Sequence, residues 1–198
     1  CERMGLSVWE VIEAASTKPF GYMPFYPGPG IGGHCIPLDP YYLANKAREL
    51  DFHTRFIELA AEINEHMPYH VVSRIFEALS AQGKSLKGAR ILVLGVAYKK
   101  DIEDTRESPA LKIIQLLREK GAEVTYNDPY VPQIHVPAGD MESVELSKEC
   151  LASVDCVVIA TDHSCYNVRE LVTRVKLVFD TRGTTKGLTG ANIVRLGE

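Results

Sequence analysis

The stretch Ala89-Arg90-Ile91-Leu92-Val93-Leu94-Gly95-Val96 decides the fold of the second half of this 198-residue chain. From Ile91 onward this stretch carries no polar side chain, and Arg90 is its one charged residue. A continuous apolar run of this kind is typical of a strand buried on both faces of a parallel sheet. A helix is predicted next, with Ser108 as N-cap and Pro109 at its first position. Further strands are predicted at residues 122–126, 155–161 and 176–180. Alternation of strands and helices predicts an α/β fold with a doubly wound parallel sheet.

A polar hexapeptide flanked by glycines, residues 83–88, is the best domain boundary in the sequence. We therefore expect a helical region at residues 1–82 and a sheet domain at residues 83–198. Within the first region, Ser7 and Glu10 form a capping box that opens a short helix. A later helix, capped by Thr54, extends to about residue 82, and Pro68 is expected to kink or restart it. The segment 130–152 is ambiguous, although residues 143–151 could form a helix.

A loop rich in glycine and proline precedes the second helix and reads Pro27-Gly28-Pro29-Gly30-Ile31-Gly32-Gly33-His34-Cys35-Ile36-Pro37-Leu38-Asp39-Pro40. Such a composition excludes the interior of a helix or a central strand. Asp39 as N-cap and Pro40 in the first turn predict that a helix begins there. Cys35 would then lie just ahead of a helix N-terminus, where a thiol can serve as a nucleophile, with Asp39 as acid, base or water-orienting group. The alternative is a small, buried structural cysteine.

Composition excludes several classes of protein. The formal charge of −4 argues against a nucleic-acid or anionic-membrane surface. Five cysteines without a Cys-x-x-Cys pair favour neither a disulfide framework nor a structural zinc site, and we expect no metal and a cytoplasmic location. No apolar run reaches the roughly 18 residues of a membrane span, and the N-terminus has no signal-peptide layout.

The N-terminus predicts that the chain is a fragment of a longer polypeptide. Residues 1–4 followed by Gly5 are typical of the last turn of a helix with its glycine cap, and there is no initiator methionine.

Polar residues follow the strands of the predicted sheet, where ligands of open parallel sheets bind. The loop at residues 98–108 offers cations and an aromatic ring but lacks the Gly-x-Gly-x-x-Gly fingerprint of a dinucleotide site. A merely solvated, charged loop is the alternative. Asp128 stands where such a site has its ribose carboxylate, yet Asn127-Asp128-Pro129 is also an ordinary turn, which we favour. His34 is a poor catalytic partner or metal ligand for Cys35, since adjacent side chains in an extended loop point apart. His163 and Cys165 have no motif around them.

Two sets of motifs resemble the UDP-glucose/GDP-mannose dehydrogenase family over essentially the whole chain. The first resembles the family's active-site segment and consists of Thr17-Lys18-Pro19-Phe20-Gly21, Phe25-Tyr26-Pro27-Gly28-Pro29-Gly30, Gly32-Gly33-His34-Cys35-Ile36-Pro37 and Asp39-Pro40. The second is similar to the signature of the UDP-binding domain and consists of Gly95-Val96-Ala97-Tyr98-Lys99-Lys100-Asp101 and Asp104-Thr105-Arg106-Glu107-Ser108. His34, and Leu38 where the family often has lysine, favour the UDP-N-acetylglucosamine and UDP-N-acetylmannosamine 6-dehydrogenase branch.

The resemblance implies a reaction and an architecture. A central helical region would form a homodimer, and a Rossmann-like domain would bind the UDP-sugar. The C6 alcohol of a UDP-N-acetylhexosamine, or of UDP-glucose, would be oxidised to the uronate with two NAD, through a thiohemiacetal and a thioester on Cys35. Asp39 would assist proton transfer or orient the hydrolytic water.

The resemblance also assigns residues to the site. The side chains or backbone of Phe25, Tyr26, Gly28, Gly30 and Gly32 would hold the sugar nucleotide, as would Tyr98, Lys99 and Arg182. Arg106 would reach the pyrophosphate of NAD, whose nicotinamide would meet the substrate at Cys35. NAD would be held mainly by an N-terminal domain that is not in these residues, so this chain is expected to be inactive alone.

Two other functions remain open from the sequence. A nucleotide-sugar-binding module without chemistry would need no cysteine four residues from Asp39. A thiol peptidase would need a base for Cys35, and only His34 is at hand.

Overall fold

The computed structural model describes residues 1–137 and 139–198. A 3-10 helix at Glu2–Met4 precedes three α-helices, α1 (Val8–Ser16), α2 (Cys35–Arg48) and α3 (Arg55–Ala81). The remaining elements are β1 (Arg90–Leu94), α4 (Pro109–Glu119), β2 (Glu123–Asn127), β3 (Gln133–Val136), β4 (Gly139–Glu142), α5 (Lys148–Ser153), β5 (Cys156–Ile159), α6 (Val168–Arg174), β6 (Val178–Asp180) and β7 (Ile193–Arg195). A helical first part and an alternating second part confirm the predicted fold class.

Five parallel strands form the main sheet, in the order β2-β1-β5-β6-β7. On β1, Ile91 and Val93 enter the core on one face of the sheet, whereas Leu92 and Leu94 enter the core on the other. All four side chains are fully buried. Burial on both faces explains the continuous apolar run, and each such side chain contributes about 1.5–3 kcal/mol.

Helices cover both faces of this sheet. α3 and α4 supply Ile75, Leu79, Ile113 and Ile114 to one core, and α5 and α6 supply Leu151 and Leu171 to the other. The arrangement is therefore a Rossmann-like, doubly wound layer structure. α4 begins as predicted, because Ser108 Oγ accepts a hydrogen bond from the Ala110 N–H at 3.3 Å.

The start of α2 differs from the prediction. The helix begins at Cys35, with His34 as its N-cap, and Pro40 lies inside it. Asp39 is consequently the fifth residue of the helix and not its N-cap. Pro37 fits in the first turn, where a backbone N–H would have no helical partner in any case. Asp39 and Pro40 therefore indicated the helix correctly but placed its first residue too late.

Two further helix predictions differ from the structure in one respect each. α3 runs as one helix through Pro68, so the restart that was one of the two expected outcomes does not occur. Pro68 is buried. Because proline has no backbone N–H, it cannot donate the helical hydrogen bond to the carbonyl of Asn64, four residues earlier. At α1, Ser7 is the N-cap, but its hydroxyl donates to Glu198 Oε1 at 3.3 Å and makes no capping bond. None of the helices in the described part of the chain is long and apolar enough to cross a membrane.

The N-terminal segment is tied to the end of the chain. The Trp9 Nε1–H donates to the Leu196 carbonyl at 2.9 Å, and the Val8 N–H donates to the Gly197 carbonyl at 2.8 Å. The Trp9 ring also lies on Gly183, where a Cβ would come within 2.8 Å of it. These contacts fix α1 beside the carboxyl end of β6. The Gly5 cap expected from the sequence is present, with φ of 64°.

The helical part and the sheet share one hydrophobic core. Val71, Val72, Ile75 and Leu79 of α3 are buried in the same cluster as β1 and α4. This packing crosses the glycine-flanked loop at residues 83–88. A division of the chain after residue 82 stays a prediction about domains, and the contacts show that the two parts are held together physically.

Several small elements escaped the sequence analysis. β3 and β4 form an antiparallel hairpin within the ambiguous segment, and α5 begins later than the helix suggested there. α6 and the three-residue β7 were not predicted. Short elements carry too few residues for a clear period of apolar side chains.

Asp155 anchors the amino-terminal end of β5. Its carboxyl is 2% exposed and binds Lys84 and Lys176, while its Oδ2 accepts a hydrogen bond from the Arg90 N–H at 2.9 Å. Burial acts to raise the pKa of this carboxyl, but the lysine and backbone hydrogen bonds outweigh burial and lower the pKa to about 2. The ionised carboxylate therefore ties β1, β5 and the loop before β1 together.

We predict that Asp155→Asn destabilises the chain at neutral pH by about 2 kcal/mol, the size that a pKa change from 3.8 to about 2 implies. Because the folded-state pKa is lowered, this stabilisation is complete above the unfolded pKa and is lost as pH falls towards about 2. Urea unfolding from pH 7 down to pH 3 should show the wild-type advantage shrinking. Glu123→Gln, at an exposed carboxyl of β2, is the control. If the loss of unfolding free energy in Asp155→Asn were the same at pH 7 and pH 3, the lowered pKa of the Asp155 carboxyl would be contradicted.

Candidate functional site

The glycine-rich loop that precedes α2, residues 27–34, packs against the loop that follows β1, residues 95–108. The Gly33 N–H donates to the Arg106 carbonyl at 2.9 Å. Parallel strands present their carboxyl ends at one edge, and β1, β5 and β6 bring residues 96–108, 160–166 and 181–185 there. The loop carrying the candidate nucleophile is thus seated at the ligand-binding edge of the sheet.

Two glycines make this seating possible. A Cβ added at Gly32 would lie 2.7 Å from the Tyr98 Cβ and 2.8 Å from the Glu107 carbonyl oxygen. Gly33 has φ of 92°, and a Cβ there would lie 2.9 Å from the Tyr98 ring. Any larger residue would push the loop off Tyr98. The two glycines therefore allow the backbone of this loop to lie directly against Tyr98. This role of the glycines was not evident from the sequence alone.

Gly28 and Gly30 extend the same contact. A Cβ at Gly28 would lie 3.1 Å from Arg182 Nη1, and one at Gly30 would lie 3.1 Å from the Pro109 ring. The Asn64 carbonyl oxygen, which the ring of Pro68 leaves without a helical partner, lies 3.3 Å from that same Gly30 position. The loop consequently fills the space between α3, α4 and the end of β6.

Cys35 is exposed and is the first residue of α2. The unpaired N–H groups of a helix's first turn carry partial positive charge and favour an anion nearby. Arg106 supplies a second positive group. The pKa of Arg106 is raised, mainly by its hydrogen bonds to Asp104 and to a smaller extent by Tyr98 and Cys35. Cys35 therefore has two positively charged neighbours, the N-terminus of α2 and the Arg106 guanidinium.

Asp104 holds Arg106 in place. Arg106 Nε donates to both carboxylate oxygens of Asp104, at 3.0 and 2.9 Å, and Nη2 donates to Oδ2 at 2.6 Å. This pair is solvent-exposed, so it positions the guanidinium rather than adding much stability. Planar, bidentate geometry leaves the outer edge of the guanidinium free for an anion.

Asp39 lies one helical turn after Cys35. Residues four apart on a helix share a face, with Cβ atoms about 5–6 Å apart. Both side chains are exposed. The structure thus places the predicted catalytic pair on one face of α2 by a route that the sequence reasoning did not foresee, since that reasoning put Asp39 at the helix cap.

The aromatic residues of the loop are placed differently from each other. Tyr26 stacks on Trp9, with ring centroids 6.0 Å apart and an interplanar angle of 16°. Phe25 is 77% exposed, and Lys99 is exposed as well. Tyr26 is itself 59% exposed, so its ring packs on Trp9 and still reaches solvent, as Phe25 and Lys99 do.

Arg182 is the most enclosed cation of the site. Its Nε donates to the Ala160 carbonyl at 2.7 Å, its N–H donates to Asp180 Oδ1 at 2.9 Å, and no carboxylate of the described residues forms a salt bridge with its guanidinium. Burial lowers the pKa of Arg182, with the nearby Asp162 and Asp180 acting in the opposite direction. A half-buried guanidinium that faces Gly28 and forms no salt bridge among the described residues is suited to an anionic ligand.

Asp128 makes the local bonds of the predicted turn, to the N–H groups of Tyr130 and Val131, and also forms contacts that were not predicted. Its carboxylate is buried and accepts five hydrogen bonds, four from backbone N–H groups and one from His163 Nε2 at 3.0 Å. Burial acts to raise the pKa of this carboxyl, but the His163 and backbone bonds outweigh burial and lower it. No sequence motif indicates this pair, because the two residues are 35 positions apart and meet only in the folded chain.

The five cysteines are free thiols. Cys156 is fully buried, and burial raises its pKa to about 12, so this thiol is inert. Across residues 1–137 and 139–198, no three His, Cys, Asp or Glu side chains gather as a metal site would require.

Two family models match this chain. The UDP-glucose/GDP-mannose dehydrogenase family's central domain matches residues 1–66, and its UDP binding domain matches residues 92–187. Both the nucleophile loop and the loop at residues 98–108 fall within these ranges.

Similar proteins carry related names. A UDP-N-acetyl-D-mannosamine dehydrogenase of Methanococcus maripaludis is 33% identical over 190 residues, which cover 92% of this chain and 42% of that protein. One of the same name from Pyrococcus horikoshii is 43% identical over 159 residues, covering 80% of this chain and 35% of that protein. A solved structure of the UDP-D-ManNAc dehydrogenase from Pyrococcus horikoshii superposes with a TM-score of 0.81 at 33% identity, covering 98% of this chain and 44% of the other.

A structure of the NDP-N-acetyl-D-galactosaminuronic acid dehydrogenase from Methanosarcina mazei matches with a TM-score of 0.82 at 26% identity, covering 100% of this chain and 45% of the other. The chain thus spans less than half the length of these relatives. It belongs to the UDP-glucose/GDP-mannose dehydrogenase family, of which it carries the central and UDP-binding domains.

Proposed function

We propose that this chain is the C-terminal part of an NAD-dependent UDP-sugar 6-dehydrogenase that oxidises a UDP-N-acetylhexosamine to its uronate. The single observation that carries the proposal is that Gly32 and Gly33 hold the Cys35 loop against Tyr98, in the part of the chain that matches the UDP-binding domain. This contact puts a candidate nucleophile beside a candidate nucleotide-sugar site. The names of the similar proteins support an N-acetylhexosamine as the sugar.

The nucleotide would be held by cations at the carboxyl edge of the sheet. Arg182 is half-buried and forms no salt bridge with any described carboxylate, so its guanidinium can bind a phosphate as a planar fork. Lys99 is exposed beside Tyr98 and can add a second, mobile positive charge. Together these residues suit a diphosphate that enters from solvent over the edge of the sheet.

Cys35 would carry the covalent chemistry. Attack of its thiolate on the C6 aldehyde and protonation of the oxygen form a thiohemiacetal. Loss of a hydride from C6 and of the hydroxyl proton then gives a thioester, and water cleaves the thioester to the carboxylate and the free thiol. The covalent bond keeps the aldehyde in the site between the two oxidations.

Asp39 would move the protons of these steps. It lies one turn from Cys35 on the same face of α2, within reach of a water that attacks the thioester. NAD, when bound, accepts the hydrides. Of the described residues, Arg106 fits a contact with its pyrophosphate, because the guanidinium is exposed near Cys35 and Asp104 fixes its orientation.

The absence of Gly-x-Gly-x-x-Gly after β1 argues against NAD binding to the sheet of this chain, because only Gly95 stands at that turn. The sheet is therefore assigned to the UDP-sugar. A module that binds the nucleotide sugar without chemistry remains the rival, and the reactivity of Cys35 separates the two.

We predict that UDP, and more tightly a UDP-N-acetylhexosamine, binds this chain, whereas NAD binds barely. Arg182→Lys should weaken UDP about tenfold, because an ammonium cannot make the paired bonds of a guanidinium. Lys99→Ala should weaken UDP by a smaller factor, and Arg169→Ala, an exposed arginine on α6, should leave it unchanged. Isothermal titration calorimetry measures all three. Tighter binding of NAD than of UDP would overturn the assignment of the sheet.

We predict that Cys35→Ser in the longer protein abolishes formation of the carboxylate while UDP-sugar binding persists, because an alcohol lacks the nucleophilicity and leaving ability of a thiolate. Asp39→Asn should slow turnover about 10²- to 10⁴-fold and let an acyl-enzyme accumulate. Mass spectrometry of the Cys35 peptide, after mixing the Asp39 variant with substrate and NAD, looks for that adduct. Cys165→Ser is the matched control, and full turnover by Cys35→Ser would contradict the proposed mechanism.

The chain would also form a homodimer through its helical region. Phe56, Leu59 and Ile63 recur on one face of α3 and are 89%, 51% and 54% exposed. Beside them α2, α3, α4 and the β3–β4 hairpin line a mostly apolar groove of 1680 Å³. Exposed apolar surface of this extent is typical of an interface between subunits.

We predict that Phe56→Glu converts a dimer into a monomer, raising the dimer dissociation constant about 100-fold, because a charge would be buried against apolar groups. Phe76→Glu, at a half-exposed position of α3 outside the groove, is the control. Sedimentation velocity over a range of concentrations measures both variants. A wild-type chain that stays monomeric at high concentration would refute the dimer.

A further inference from the structure

The buried pair of His163 and Asp128 lies beneath the loop at residues 98–108. The His163 side chain is 0% exposed, and the rings of Tyr130 and Tyr166 enclose it, with centroids 4.9 and 5.7 Å from that of the imidazole. Such a site excludes water from the imidazole, so both ring nitrogens need protein partners.

The hydrogen bonds fix the tautomer of His163. Nδ1 lies 2.9 Å from the backbone nitrogen of Asp101, whose N–H can only donate, so Nδ1 accepts and carries no proton. The proton therefore resides on Nε2, which donates to Asp128 Oδ2 at 3.0 Å. One imidazole thus connects a buried carboxylate with the backbone of the loop.

These contacts hold the backbone at positions before and after Tyr98 and Lys99 in the sequence. Before them, Asp128 Oδ2 accepts the N–H groups of Val96 and Ala97, at 2.7 and 3.2 Å. After them, His163 binds the backbone of Asp101, a residue in the left-handed region with φ of 59°. The two ends of the segment are therefore fixed by one buried pair.

Neighbouring residues support the Asp101 end. The Asp101 carboxylate accepts the N–H and the hydroxyl of Ser164, the residue after His163, at 2.8 and 2.6 Å. A non-glycine residue with positive φ costs of order 1–3 kcal/mol and persists only when its surroundings hold it there. The loop after β5 consequently holds the loop after β1 in a strained conformation.

We propose that His163 and Asp128 are positioning residues for UDP-sugar binding: through the Asp101 N–H they hold Tyr98 and Lys99 in the conformation that meets the nucleotide sugar and the Cys35 loop. The identity of the ligand rests on the proposed function, whereas the hydrogen bonds of His163 and Asp128 do not depend on it. Neither residue touches the reacting atoms.

The test uses two substitutions, each of which keeps one of the two hydrogen bonds that the imidazole makes. His163→Asn places a carbonyl oxygen near the position of Nδ1 and keeps an acceptor for the Asp101 N–H. His163→Gln places an amide N–H near the position of Nε2 and keeps the donor to Asp128. Both leave a buried group unsatisfied, so both should lower the melting temperature of the chain. His135→Gln, on the exposed face of the hairpin, is the matched control.

Hydrogen exchange of residues 98–105, without any ligand, separates positioning from general stability. We expect exchange in this segment to quicken at least tenfold in His163→Gln and much less in His163→Asn, with UDP affinity falling about tenfold in the former alone. Equal effects of the two variants, or changes that follow their melting temperatures, would overturn the proposal. If the wild-type chain fails to bind UDP, the proposed function falls, while the exchange result still decides the role of His163.

A measurement on the unsubstituted chain guards against variants that do not fold. The nitrogen chemical shifts of His163 in an NMR spectrum at neutral pH should show a bare Nδ1 and a protonated Nε2. A proton on Nδ1 would exclude the bond to the Asp101 N–H and overturn the proposal.

Discussion

The close approach of Gly32 and Gly33 to Tyr98 is the contact on which the rest of the site depends. A single added Cβ at either glycine would come within 3 Å of Tyr98, and overpacking of this kind typically costs about 1–3 kcal/mol. The chain then turns directly into α2, whose first residue is Cys35. The position of the thiol is therefore set by the sheet domain, although the thiol belongs to the helical region.

The sheet itself is held by charges at both ends of its strands. Asp155 ties β5 to β1 and two lysines at the amino-terminal end, and Asp128 with His163 organises the loops at the carboxyl end. The first arrangement stabilises the platform. The second shapes the surface on which a nucleotide sugar would bind, because it fixes the backbone on both sides of Tyr98 and Lys99.

The sequence predicted the parts of the fold that local physics determines. β1 was evident because both of its faces are buried, and α4 because Ser108 and Pro109 mark its start. The start of α2 was misplaced, since Pro37 and Pro40 both fit a first helical turn and only packing decides between them. Asp128 and His163 escaped notice because they meet through the fold and not through spacing. The resemblance to a known family directed attention to Cys35, Arg106 and Arg182, which composition alone would have left as ordinary residues.

The claim that the Cys35 loop and the UDP-binding surface form one site can be tested on this chain without NAD. Alkylation by iodoacetamide, followed peptide by peptide in the mass spectrometer, measures the reactivity of Cys35 against that of exposed Cys1. A saturating UDP-N-acetylhexosamine should slow alkylation of Cys35 about tenfold or more and leave Cys1 unchanged. Equal rates at Cys35 with and without the bound nucleotide sugar would contradict a shared site.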